Sequence, residues 1–191
     1  TILSQTVRFA SASIVGDRVW LLLHATDWTE PQLARLQSAI SRVHFTGPMM
    51  DSLEMARAMG VQAWRTCTGE PDQAMLILFG DAGSLGERRI IGAGAMLWRL
   101  GPAFHDLGAY LQLTQERIEN ARAAFAARSV AHYRKTAASL PAQPPAFYMI
   151  FTARMSFGLE KHVERTMAAE TRRSVLVSAL GIRRHLLKHG R

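Results

Sequence analysis

The chain has a single cysteine, Cys67, among 191 residues. One thiol closes no internal disulfide, so burial must hold the fold, and cysteine usage leaves the compartment open. No stretch is long and apolar enough to read as a membrane span. The longest charge-free run, Thr136 to Ala153, is broken by Pro141, Pro144 and Pro145. No signal peptide is visible, although this carries little weight in a chain whose first residue is Thr1. There is no Walker loop, no His-Glu-x-x-His, no Cys-x-x-Cys and no zinc-finger or RNA-binding signature. Solenoid repeats and low-complexity tracts are also missing. These absences remove the common nucleotide, zinc and repeat architectures. What remains is a chain 48% hydrophobic, long enough to bury a core without staples.

Helical periodicity dominates that remainder. Ile2 to His24 carries a broad apolar face that includes Leu3, Val7, Ala10, Ile14 and Leu21. Thr29, Pro31 and Gln32 spell a capping box that opens a second helix, with Leu33, Leu36, Ile40 and Val43 inward. Thr46, Gly47 and Pro48 end it. A third helix is expected from Met49 to about Cys67, with Met50, Leu53, Arg57, Val61 and Trp64 on one side. Residues 68–101 read as a glycine-rich irregular region. Within it Ala74 to Phe79 is strand or buried helix, and Arg89 to Leu100 is weakly helical. Phe104, Leu107, Leu111, Ile118, Ala121 and Phe125 define a strong helix, extended or restarted to about Ser139. The prolines at 141, 144 and 145 then form a crossover.

The stretch from Thr152 to Arg191 organises the rest. It holds nine Lys and Arg against three Glu, whereas the other 151 residues hold fourteen against twelve. The formal charge of +8 is therefore mostly a basic C-terminal helix. Its apolar stripe runs Met155, Leu159, Val163, Met167, then Val175, Ala179, Ile182 and Leu186. Gly190 stands where a left-handed residue would close the helix. Arg172, Arg173, Arg183, Arg184 and Lys188 form the densest cationic cluster and the candidate interaction surface.

Groups with chemical potential have plain structural readings. Gly92 and Gly94 lack the third glycine of a dinucleotide loop, since position 97 is Leu. His185 and His189 are half a metal site without partners. Cys67 is a small packing residue unless a histidine converges on it. Glu116 with Glu119, and Glu160 with Glu164, sit among arginines and lysines and read as surface ion pairs. No catalytic residue, metal or cofactor is assigned.

The segment Ala179-Leu180-Gly181-Ile182-Arg183-Arg184-His185-Leu186-Leu187-Lys188-His189-Gly190-Arg191 resembles the "ALALERYRLAHGR" helix of a family of envelope-anchored proteins in Planctomycetes and Verrucomicrobia. Leu3 to Phe9 is similar to its "LISHLVRIA" region, Trp28 to Ile40 to its "LSDEQLAALQAAL" region, and Ser52 to Ala56 falls where it has "ALRGERA". His185 and Arg183 replace the family's tyrosine and acid. Its Tyr-Pro and pseudopilin-like continuation do not follow in this sequence. The resemblance implies a mostly helical extracytoplasmic domain behind an N-terminal membrane anchor.

The expectation is an all-α single domain over residues 1–191, of about six helices, with first and last helices adjacent. Its expected role is a non-catalytic structural or interaction domain at the bacterial envelope. Its partner would be another protein, a second copy or an anionic membrane surface. The alternatives are nucleic-acid binding through the basic helix, and an enzyme whose site is assembled from distant residues.

Overall fold

The computed structural model describes residues 2–24, 27–79, 85–139, 149–155 and 159–190. Among them every regular element is a helix: α1 (Ile2–Leu22), α2 (Glu30–Ser41), α3 (Thr46–Gly69), α4 (Pro71–Phe79), α5 (Leu85–Leu100), α6 (Ala103–Ala127), α7 (Val130–Ser139), α8 (Ile150–Met155) and α9 (Leu159–His189). The all-α reading holds, with the helical chain cut more finely than six.

Local chemistry sets most boundaries. The Gln32 side-chain oxygen accepts from the Thr29 backbone N–H at 2.9 Å, the reciprocal half of the expected capping box. Thr46, Gly47 and Pro48 form the first turn of α3 rather than a break, because a proline there gives up an N–H that has no intrahelical partner anyway. Arg128 ends α6 in the left-handed region at φ 50°, and the Ser129 hydroxyl accepts from the His132 N–H at the start of α7. Gly190 follows α9 at φ +69°. The irregular region expected over 68–101 is instead helical at all its described residues but Glu70 and Gly101. α3 runs to Gly69, Glu70 alone separates it from α4, and α5 passes through both Gly92 and Gly94. The remaining part, residues 80–84, and the proline crossover at 141, 144 and 145 lie outside the described residues.

α3 and α6 form an antiparallel spine. Glu54 pairs with Arg122, the Tyr110 hydroxyl donates to the Ala56 carbonyl at 3.0 Å, and Trp64 donates to the Ala103 carbonyl at 2.9 Å. A core sits at each end. The first gathers Phe9, Met49, Leu53, Ile118, Tyr133, Val163 and Met167 from α1, α3, α6, α7 and α9. The second gathers Cys67, Leu78, Trp98, Tyr110 and Phe151 from α3, α4, α5, α6 and α8. Ile118 is buried as expected, while Leu111 and Phe125 are half-buried against the two cores. Gly60 lets the spine close. A β-carbon there would stand 2.1 Å from the Tyr110 hydroxyl oxygen.

The terminal helix corrects one expectation directly. Leu159, Val163 and Met167 are buried, but beyond them the buried apolar residues are Leu176 and Leu180, not Val175 and Ile182. Val175 is 51% exposed, Ile182 is 63% exposed, and Ala179 is half-buried. α9 carries apolar side chains on two neighbouring stripes. Leu176 stands nine residues, or two and a half turns, beyond Met167, so the buried side of α9 has moved round the helix where α1 and α2 pack along its second half. They pack along that side, leaving the other outside. The helix is also shorter than the stretch from Thr152, since α8 ends at Met155 and α9 begins at Leu159.

Candidate functional site

α1 and α2 both lie along α9, as the adjacency of first and last helices required, yet they scarcely touch each other. α1 runs parallel to α9: Phe9 belongs to the core with Met167, and Gly16 lies against Leu176. α2 runs antiparallel. Arg184 reaches Glu30 at its start and Arg173 reaches the Ser41 carbonyl at its end. Between them is a groove of about 640 Å³, floored by α9 and closed at one end by Phe45. Its width follows from small side chains. Ser11, Ala12 and Gly16 line the α1 wall, and Ala168 and Ala169 lie on the α9 floor, so no large side chain fills the gap. Val7, Val15, Ile40 and Val43 make the upper walls apolar.

The charged residues lining the groove are Arg8, Arg165, Arg172 and Arg173; no acid lines it. Three of the four guanidiniums are engaged. Arg8 donates to the His44 carbonyl at 3.3 Å. Arg172 donates to the Ser13 hydroxyl at 2.6 Å and pairs with Asp17 at 3.4 Å. Arg173 holds Glu170 at 2.5 Å, and Glu170 in turn accepts from the Phe45 N–H at 3.4 Å. Arg165 has no hydrogen bond or ion pair among the described residues. One turn before it, His162 is half-buried, with Nδ1 buried and unpartnered. Burial first, and the neighbouring Arg165 charge second, push the His162 pKa below its ordinary value.

The five cations singled out from the sequence do not form one surface. Arg172 and Arg173 line the groove. Arg184 clamps α2 through Glu30 at 2.5 Å and Gln37 at 2.6 Å. Arg183 is half-buried with its Nε unpartnered, and Lys188 is exposed on the last turn. Ten residues of helix, about 15 Å, separate Arg173 from Arg183. Arg172, Arg173 and Arg184 thus tie α9 to the helices beside it.

Sequence reasoning missed the most constrained polar group. Asp106 is fully buried in the first turn of α6. Its Oδ2 accepts from the Trp98 indole N–H and the Phe151 N–H, both at 2.8 Å. Its Oδ1 accepts from the Thr152 N–H at 2.9 Å and the Thr152 hydroxyl at 2.6 Å. Asp106 therefore caps the start of α8 from another helix and ties α5 to both. An acid in a first turn is a common dipole partner, and nothing in the sequence distance to Trp98 or Thr152 announces this second role.

The remaining candidates stay apart. Cys67 is buried, and desolvation outweighs a backbone hydrogen bond to push its thiol up to about 11. Glu160 pairs with Arg117 at 3.0 Å and Glu164 with Arg134 at 2.8 Å, fastening α9 to α6 and α7. His185 and His189 face each other with ring centroids 4.4 Å apart. No group of three or more His, Cys, Asp or Glu converges among the described residues, and no described helix is long and apolar enough to cross a membrane. No family model, no curated protein and no solved structure matches the chain.

Proposed function

We propose that this chain is a non-catalytic interaction domain of the bacterial envelope whose working surface is the groove between α1 and α2. The observation that carries the reading is an open apolar trough lined by four arginines and no acid. Apolar side chains left facing a concave space favour an apolar occupant, and the guanidiniums favour one with negative charge. The envelope assignment rests on the family resemblance of the terminal helix.

The arrangement of the basic helix weighs against the nucleic-acid alternative. Phosphate recognition needs cations free to meet successive phosphates. Here Arg172, Arg173 and Arg184 are held by Asp17, Glu170 and Glu30.

A groove-specific dye titration tests the proposal. Anilinonaphthalene sulfonate, an apolar anion, should bind the native protein saturably. Ala168→Phe, which fills the floor, should remove that binding while the helical circular dichroism persists. Absence of native-state binding, or binding untouched by Ala168→Phe, would refute the reading. Duplex DNA should bind only weakly at about 150 mM salt, within the usual non-specific range.

A further inference from the structure

We infer that the groove takes a free single-chain amphiphile with one anionic head, a medium- to long-chain carboxylate, and that Arg165 receives the head. The inference rests on the groove being the working surface, and it names the occupant.

Charge complementarity selects the head. The groove has cations and no acid, but Arg8, Arg172 and Arg173 already satisfy carbonyls, a hydroxyl or carboxylates of the chain. Arg165 alone has neither a hydrogen bond nor an ion pair among the described residues. A guanidinium presents paired N–H donors that match a carboxylate in a bidentate fork. One available fork suits one carboxylate. An acidic helix or a nucleic-acid strand would need several such cations in a row, and the neighbouring ones are taken.

The shape selects the tail. From Val7 to Gly16 the α1 wall spans nine residues, about 14 Å along the helix. Below it the apolar part of the floor is Ala168, Ala169 and Leu176, with Phe9 and Phe45 toward one end. The volume of about 640 Å³ falls in the range of small-molecule sites. A narrow apolar trough with a single unengaged guanidinium among its arginines fits an alkyl chain lying along α9 with its carboxylate at Arg165.

Fluorescence titration of the full chain with dansyl-undecanoic acid, below its micelle threshold, tests this. The expected result is saturable binding at one site per chain with blue-shifted emission. An unlabelled alkyl carboxylate should displace the probe. The alcohol and the trimethylammonium of equal chain length should displace it at least tenfold less well. Arg165→Gln should weaken binding about tenfold or more, the loss of one charge-assisted pair. Lys161→Gln, on the same helix but outside the groove, should leave it unchanged. Ala168→Phe should abolish binding, with Ser11→Phe from the opposite wall replacing it if that variant fails to fold. Equal displacement by the alcohol, or an unaltered Arg165→Gln variant, would overturn the inference. Binding only to vesicles containing anionic lipid, or only to acidic helical peptides, would overturn it as well. If the sulfonate dye binds in the groove but the carboxylate has no preference, the occupant is wrong and the groove reading stands. If neither binds, both fall.

Discussion

Replacing Asp106 by Asn isolates the strength of the buried node that joins α5, α6 and α8. The side chain keeps its size, but one oxygen becomes an NH₂ group. Each carboxylate oxygen of Asp106 accepts two bonds, Oδ2 from Trp98 and Phe151, Oδ1 from Thr152. Turned toward the Oδ2 position the NH₂ meets two donors; turned toward the Oδ1 position it meets the Thr152 N–H, while the Thr152 hydroxyl can accept from it and donate instead to the Asp106 carbonyl 2.8 Å away. A buried donor left without an acceptor costs about 1–3 kcal/mol, and the bonds that remain lose the assistance of the carboxylate charge. A loss of about 3 kcal/mol is expected, a large share of the stability of a domain. Urea unfolding followed by far-UV circular dichroism reads it as a lower midpoint at an unchanged slope. Trp98→Phe removes one of the competing donors. Asp106→Asn should then cost less in that background, with a coupling of about 1 kcal/mol in the double-mutant cycle. An Asp106→Asn variant within about 0.5 kcal/mol of wild type, the range of ordinary surface substitutions, would show that the node contributes nothing and that the capping account of α8 is wrong.

Gly60→Ala should destabilise by about 1–3 kcal/mol, because its methyl would overlap Tyr110. Gly108→Ala, on an open face of the same spine, should stabilise by about 0.5–1 kcal/mol; equal effects in thermal melts would deny the close approach. Cys67 should resist Ellman's reagent in the native state and react fully in urea, since it is buried with its thiol pushed up to about 11; rapid native labelling would contradict that burial. His162 has a lowered folded pKa, so the unfolded chain binds the proton first as pH falls. Stability should therefore decline as pH drops through about 6.5, the unfolded value, and level off below the folded one. His162→Gln should flatten that part of the urea-midpoint profile, and an unchanged slope would assign the pH dependence elsewhere. Leu180→Ala should cost about 2–5 kcal/mol, whereas Ile182→Ala should cost under about 0.5 kcal/mol; the reverse order would restore the other face of α9 as the packed one.

The helices were legible because capping residues and periodicity are local. Thr29, Gln32 and Gly190 each act within a turn of their own position. The inward face of α9 was not legible. Leu176 and Val175 are adjacent and equally apolar, and only the placement of α1 and α2 decides between them. Asp106 was hidden for a similar reason, since its donors arrive from helices 45 residues later and 8 residues earlier. The groove is harder still to read. It is created by two helices that leave a gap, and a gap leaves no apolar signature in the sequence beyond the small residues Ser11, Ala12, Ala168 and Ala169. The arginine cluster was visible as composition, but its pairing with Glu30, Asp17 and Glu170 required the fold.

The clamps between α2 and α9 join residues far apart in the chain: Gln37 to Val177 across 140 positions and Arg184 to Glu30 across 154. During synthesis α1 and α2 leave the ribosome long before their supporting helix exists. At a pace of roughly 5–20 residues per second, they wait roughly 7–30 seconds. Throughout that interval Leu33, buried in the finished fold, lacks the helix that α2 packs on. Such long-range closure is slow, and until it happens the two nascent helices offer chaperones or neighbouring chains the apolar faces that α9 later covers.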